Sequence, residues 1–160
     1  MGKEAKTNAM RMLERAKIAY EAHEYPHEEG VAVDGVRVAE SMGQNPDCVF
    51  KTLVTQGADK NYYVFVIPVA ATLDLKKAAR SVGVKSVAMI HVADINKITG
   101  YVRGGCSPVG MKKQFPTVFH ETAELFDTIC VSAGRVGAQV ELAPGALMAL
   151  LGASSADITV

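Results

Sequence analysis

Val49-Phe50-Lys51-Thr52-Leu53-Val54, followed after a Gly57-Ala58-Asp59-Lys60-Asn61 turn by Tyr62-Tyr63-Val64-Phe65-Val66-Ile67, is the stretch on which the fold turns. Its β-branched and aromatic residues favour a pleated surface, and the intervening Gly, Asp and Asn supply turn chemistry, so the two runs predict a hairpin. Period-two alternation puts Lys51 on the same face as Val49 and Leu53. A lysine among apolar neighbours has two readings. Its stem covers apolar surface while the ammonium reaches water, or its charge is partly desolvated and aimed into a cavity.

Outward from this hairpin, helical and strand patterns alternate. Toward the N-terminus, Thr7 is a candidate cap for a helix ending near Ala19, since Ala9, Met12, Leu13 and Ala16 recur at helical spacing. A strand over 20–25 stops at Pro26, which has no N–H for a ladder. A short helix over 36–42 is halted by Gly43, and Asn45-Pro46-Asp47 makes a turn. Toward the C-terminus, Asp74 caps a helix over 75–81 that Gly83 ends. Residues 87–90 form a strand and 93–98 a short helix. Strands follow over 118–120, 129–131 and 140–142, and Pro144 opens a last helix ending by Gly152. This order predicts the α+β class: one domain over 1–160, built on a mixed, partly closed, barrel-like sheet surrounded by helices.

Composition narrows the functions. With 160 residues, 49% of them apolar and 21% charged, the chain can bury one core and is not intrinsically disordered. Lys plus Arg and Asp plus Glu are 17 each, so no global field attracts a polyanion, and a nucleic-acid partner must be held by a local patch. The longest apolar run, 64–71 with Pro68 inside it, is far short of the ~20 residues that span a bilayer, so no membrane association is expected. Residues 1–7 lack the apolar segment of a secretory signal, and Cys48, Cys106 and Cys130 are odd in number and widely spaced. Both features point to a cytoplasmic protein with reduced thiols.

Three constellations carry candidate chemistry. His23-Glu24-Tyr25-Pro26-His27 spells the HExxH string of zinc hydrolases. That chemistry needs both imidazoles on one helical face, and Pro26 would cost such a helix ~3 kcal/mol or more. The strand-like alternation argues instead for two histidines flanking a strand end, and no metal is expected. The loop 99–110 is glycine-rich: Gly104-Gly105 lets a ligand approach backbone N–H groups, Ser107 offers a hydroxyl and Pro108 stiffens a rim, although a glycine pair also serves simply as a turn. Lys76, Lys77, Arg80, Lys85, Arg103, Lys112 and Lys113 are either phosphate contacts or ordinary solvated charges.

Taken together, Val49 to Val54, Leu73-Asp74-Leu75-Lys76-Lys77-Ala78-Ala79, Thr99-Gly100-Tyr101, the run from Gly104 to Lys113 and Val131-Ser132-Ala133-Gly134 resemble the YbaK/EbsC family in order and spacing along nearly the whole chain. The resemblance implies a trans-acting aminoacyl-tRNA deacylase, related to the editing domain of bacterial prolyl-tRNA synthetase, which removes cysteine mischarged on tRNA(Pro) and possesses a second specificity for Cys-tRNA(Cys). Such editing answers a physical need, because small apolar differences between amino acids give only ~10–200-fold discrimination in one pocket. In the family the substrate's own thiol attacks its ester and leaves as a thiolactone, with no cofactor.

Carried over by motif, Lys51 is the family's essential lysine, holding the tRNA terminus or stabilising charge on the ester. Gly104 and Gly105 match the glycine pair and present amides to the aminoacyl end. Tyr25 lines the pocket, and Ser107 and Pro108 shape its rim. Cys106, Asp34 and Gln139 depart from the residues usual in the family, which leaves the choice between cysteine and alanine open. The implied partners are the acceptor end of aminoacyl-tRNA and a complex with prolyl-tRNA synthetase; DNA is not among them. Two rival readings are a noncatalytic aminoacyl-tRNA or synthetase-binding module and a zinc hydrolase built on His23 and His27.

Overall fold

A computed structural model describes residues 6–25 and 34–160. Helix α1 (Asn8–Arg15) is capped by the Thr7 side chain, which accepts from the Met10 N–H, and buries Ala9, Met10 and Leu13. It ends four residues sooner than the apolar spacing predicts. Lys17 adopts a left-handed φ of 60°, its N–H donates to Glu14 O, and Ile18 N–H reaches back to Leu13 O. These are the two bonds of a Schellman stop, made here without glycine.

Strand β1 (Glu21–Glu24) and helix α2 (Gly35–Ser41) follow. The expected turn after α2 is a single 3-10 turn over Pro46–Cys48. The hairpin then forms as predicted. Strands β2 (Phe50–Gly57) and β3 (Tyr62–Pro68) pair antiparallel, from Phe50 opposite Pro68 to Gln56 opposite Tyr62. Helix α3 (Leu75–Val82) is capped by Asp74, which accepts from the Lys76 and Lys77 N–H groups, and is closed by Gly83. Strand β4 (Val87–Met89), helix α4 (Ile95–Thr99), strands β5 (Thr117–His120), β6 (Ile129–Ser132) and β7 (Ala138–Leu142), helix α5 (Pro144–Leu151) and strand β8 (Ser154–Ala156) complete the described elements.

Five strands, in the order β4-β2-β3-β5-β8, form a mixed sheet; β1-β7-β6 form an antiparallel one. A parallel bridge between Val49 and Cys130 joins the two at the start of β2, so the β-structure curls without closing. Alternation along β3 explains its unbroken apolar run. Val64 and Val66 face a core that includes Phe50, Phe119, Val140 and Leu147, whereas Tyr63, Phe65 and Ile67 face Ala78, Ala79 and Ile158 on the α3 side. A strand covered on both faces is apolar at every position.

Candidate active site

The expected alternation holds at Lys51. It lies directly opposite Ile67, while Leu53 lies opposite Phe65, and both of those partners are fully buried on the α3 side. The Lys51 side chain is itself partly buried, and lines a cleft of about 430 Å³ running between the start of β2, the 87–95 segment and the glycine loop. That volume is within the range of small-molecule sites. Burial pushes the Lys51 ammonium below the ordinary lysine range, and the charge of Asp34 partly offsets this. Among the described residues the ammonium has no hydrogen-bond or ion-pair partner. Asp34 is occupied as the cap of α2, accepting from Val36 N–H. A partly desolvated cation without a close counter-ion among the described residues is poised for an anionic or strongly polar ligand group.

Tyr25 and Gly104 line the same cleft. Tyr25 is fixed at the end of β1 by donation from its N–H to Gly137 O over 2.9 Å. Gly104 takes a φ of 83° at the third position of a turn in which the Gly105 N–H donates to Val102 O over 3.0 Å. This corrects the expected use of both glycine amides. The Gly105 N–H closes the turn and is not available to a ligand. The N–H groups of Gly104 and Cys106, whose residues both border the cleft, have no acceptor among the described residues.

Ser107 and Pro108 also depart from expectation. Both are buried and neither lines the cleft. The Ser107 hydroxyl accepts from Val109 N–H, and the Tyr101 hydroxyl donates to Val109 O, so these residues brace the loop from behind. The structure thus brings together Lys51, Tyr25 and Gly104, with Gly105, Ser107 and Pro108 as supports.

Among the other lining residues, Arg103, Cys106 and Gln139 stand out in sequence, whereas Met89, Val92 and Thr52 carry no functional signal there. Arg103 is exposed at the cleft, whereas Lys77 is drawn away by an ion pair to Asp157 at 2.9 Å and Lys112 Nζ donates to Lys97 O. Met89 and Val92, both exposed, form an apolar lip. The Thr52 hydroxyl is buried on the cleft wall without a partner among the described residues, and reads in sequence as an ordinary strand threonine. Gln139 is buried there too, its side-chain oxygen accepting from Gln44 Nε2. Cys106 lies in the lining, but burial pushes its thiol up to about 11. It is neutral near pH 7 and a poor nucleophile.

His23 and Glu24 of the HExxH string lie on a strand, not on a helix. His23 lies on β1, where its Nε2 is 2.8 Å from Glu141 Oε1, and His27 falls outside the described residues.

A family model described as the aminoacyl-tRNA editing domain matches residues 30–150. EbsC of Enterococcus faecalis, which carries the name of a Cys-tRNA(Pro)/Cys-tRNA(Cys) deacylase, is 49% identical over 154 residues, covering 96% of this chain and 93% of the relative. A crystal structure described as a trans-editing enzyme for prolyl-tRNA synthetase superposes with a TM-score of 0.82 at 25% identity, over 98% of this chain and 99% of that one. The matched span contains Lys51, the glycine loop and most of the cleft wall, and the chain belongs to the aminoacyl-tRNA editing domain family.

Proposed function

We propose that this protein, acting as one editing domain over 1–160, is a trans-editing deacylase that removes cysteine from tRNA(Pro), with Cys-tRNA(Cys) as a second substrate. The observation that carries the reading is the Lys51 ammonium, without a hydrogen-bond or ion-pair partner among the described residues, sharing a cleft with Gly104. The name of the 49% identical relative supports the choice of substrate.

In this reading the aminoacyl end enters the cleft with its terminal base against the Met89 and Val92 lip and a phosphate near Arg103. The cysteinyl thiol gives up its proton and attacks its own ester carbonyl. A C–S bond forms, the C–O bond to the terminal ribose breaks, and the ribose oxygen takes up a proton. The thiolactone is opened later by water. Lys51 and the amides of Gly104 and Cys106 stabilise the oxygen that becomes negative during attack. No protein nucleophile is needed, because positioning makes the reaction intramolecular.

Three esters test this. Purified protein incubated with Cys-tRNA(Pro), Ala-tRNA(Pro) and Pro-tRNA(Pro) is expected to cleave only the cysteine ester, since the other two lack a thiol, and to do so equally in the presence of chelator. Protection of the cysteine ester would favour the noncatalytic binding module, and loss of cleavage with chelator would favour a zinc hydrolase. Cys106→Ala is expected to keep the wild-type rate, because a thiol whose pKa is about 11 supplies no thiolate at neutral pH; a large loss would restore Cys106 as a nucleophile.

The reading also includes a complex with prolyl-tRNA synthetase, which would select the tRNA that a chain of zero net charge holds only through a local patch. Sedimentation of the two proteins with tRNA(Pro) as separate species would exclude it. The site of action in this reading is the cytoplasm, a placement supported by the aminoacyl-tRNA substrates named for the 49% identical relative.

A further inference from the structure

Outside the cleft lining, a second group of reactive side chains gathers on the three-stranded sheet. His23, Cys130 and Glu141 bring an imidazole nitrogen, a thiol sulfur and a carboxylate oxygen within 4.8 Å of one another. Sheet register causes this. Glu141 lies opposite Cys130 on one side, and on the other side His23 lies opposite Gln139, two residues from Glu141. Opposed residues and their i±2 neighbours share a face of a sheet, so all three side chains emerge together. Cys130 is 4% exposed, whereas the His23 and Glu141 side chains are 23% and 32% exposed. The cluster is closed behind the sulfur and open toward solvent.

We propose that this cluster is a binding site for zinc or another borderline-soft divalent cation, with His23, Cys130 and Glu141 as its protein ligands. One nitrogen, one thiolate and one carboxylate make a zinc-type donor set. With Zn–N and Zn–O near 2.0–2.1 Å and Zn–S near 2.3 Å, tetrahedral ligands stand roughly 3.3–3.6 Å apart. The His23 and Glu141 atoms, 2.8 Å apart, need only part slightly, and the sulfur need only close in. The ion replaces the hydrogen bond between His23 and Glu141 and sends the Cys130 thiol proton to solvent. Support around the ligands is already built. Thr128 donates to the other Glu141 oxygen, and Gln44 Nε2 lies 3.7 Å from Cys130 Sγ. The fourth position is left to solvent.

The ligands come from β1, β6 and β7, so a bound ion clamps the edge strand that carries Tyr25 onto the rest of its sheet. It is a different set from the HExxH motif, which shares only His23 with it.

Cobalt(II) is the probe. Titrated into chelator-treated protein, it is expected to give the intense visible bands of a tetrahedral ion and a thiolate-to-cobalt charge-transfer band, both saturating at one ion per chain and displaced by zinc. Cys130→Ala abolishes the charge-transfer band, His23→Ala weakens cobalt binding by about tenfold or more, and His27→Ala changes neither. Zinc raises the Tm of the wild type and leaves that of the His23→Ala/Cys130→Ala variant in place. A charge-transfer band that persists in Cys130→Ala, dependence on His27, or wild-type affinity no greater than that of the double variant overturns the assignment. Circular dichroism of each variant separates lost ligation from lost fold. Cleavage of the cysteine ester is expected to continue without the ion, so failure here leaves the deacylase reading standing.

Discussion

Lys51→Met is expected to slow cleavage of Cys-tRNA(Pro) by about 10²-fold or more, the loss typical of removing one preorganised group that meets developing negative charge. Methionine keeps the apolar stem and removes only the ammonium. The substitution leaves no buried partner orphaned, because among the described residues Lys51 has no ion pair and Asp34 is already spent as a helix cap. Burial lowers the lysine's pKa in the fold, so the folded state holds the proton less tightly than the unfolded chain does. Between the two pKa values stability rises with pH, and below both the charged lysine is a net cost to folding. Lys51→Met is therefore expected to hold or raise the Tm while losing the reaction. A rate that stays at the wild-type level, with an unchanged circular dichroism spectrum, would remove Lys51 from the mechanism. The wild-type rate should also decline at alkaline pH sooner than an ordinary exposed lysine would dictate, as the ammonium loses its proton; a profile set only by the substrate thiol would exclude this.

The features legible in sequence were those with a local cause. The hairpin of β2 and β3 follows from two β-rich runs and the turn between them, and α3 from Asp74 before it and Gly83 after it. The same alternation put Lys51 on the correct face. Misreadings arose where a distant or unusual partner decides the local state. Helix α1 looked longer because its stop is carried by Lys17, a residue that enters the left-handed region at a cost of roughly 1 kcal/mol, offset by two capping bonds and the adjacency of Ile18 and Leu13. Strand β8, Ser154–Ala156, has no strand composition and exists because β5 offers a parallel edge. Ser107 looked like a rim hydroxyl, yet its oxygen is used two residues along the chain. The strand-like alternation already argued against pairing His23 with His27, but the partner His23 does have, Glu141, is brought alongside only by the sheet.

Gly105→Ala isolates the part of the cleft that a sequence motif describes least well. The glycine pair reads as two equivalent flexible residues, but the two do different work. Gly104 supplies a left-handed turn position, and Gly105 supplies space. A Cβ at Gly105 would lie 2.9 Å from the Arg135 carbonyl carbon, from its Cα and from the Val136 nitrogen. All three are backbone atoms in the turn joining β6 to β7, so none can rotate away. The crowding must move one loop against the other, and overpacking of this kind costs about 1–3 kcal/mol. In a chain of this size that lowers Tm by roughly 2–4 °C per kcal/mol. The same shift displaces Gly104 and Cys106 from the position in which their amides meet the ester. A misplacement of about 1 Å can cost 10²-fold in rate, so the deacylation loss, measured well below Tm, should far exceed what the thermal shift alone predicts. A variant that loses Tm but keeps the rate would make Gly105 a packing residue only, and one that keeps both would mean that the two loops are not held by this contact.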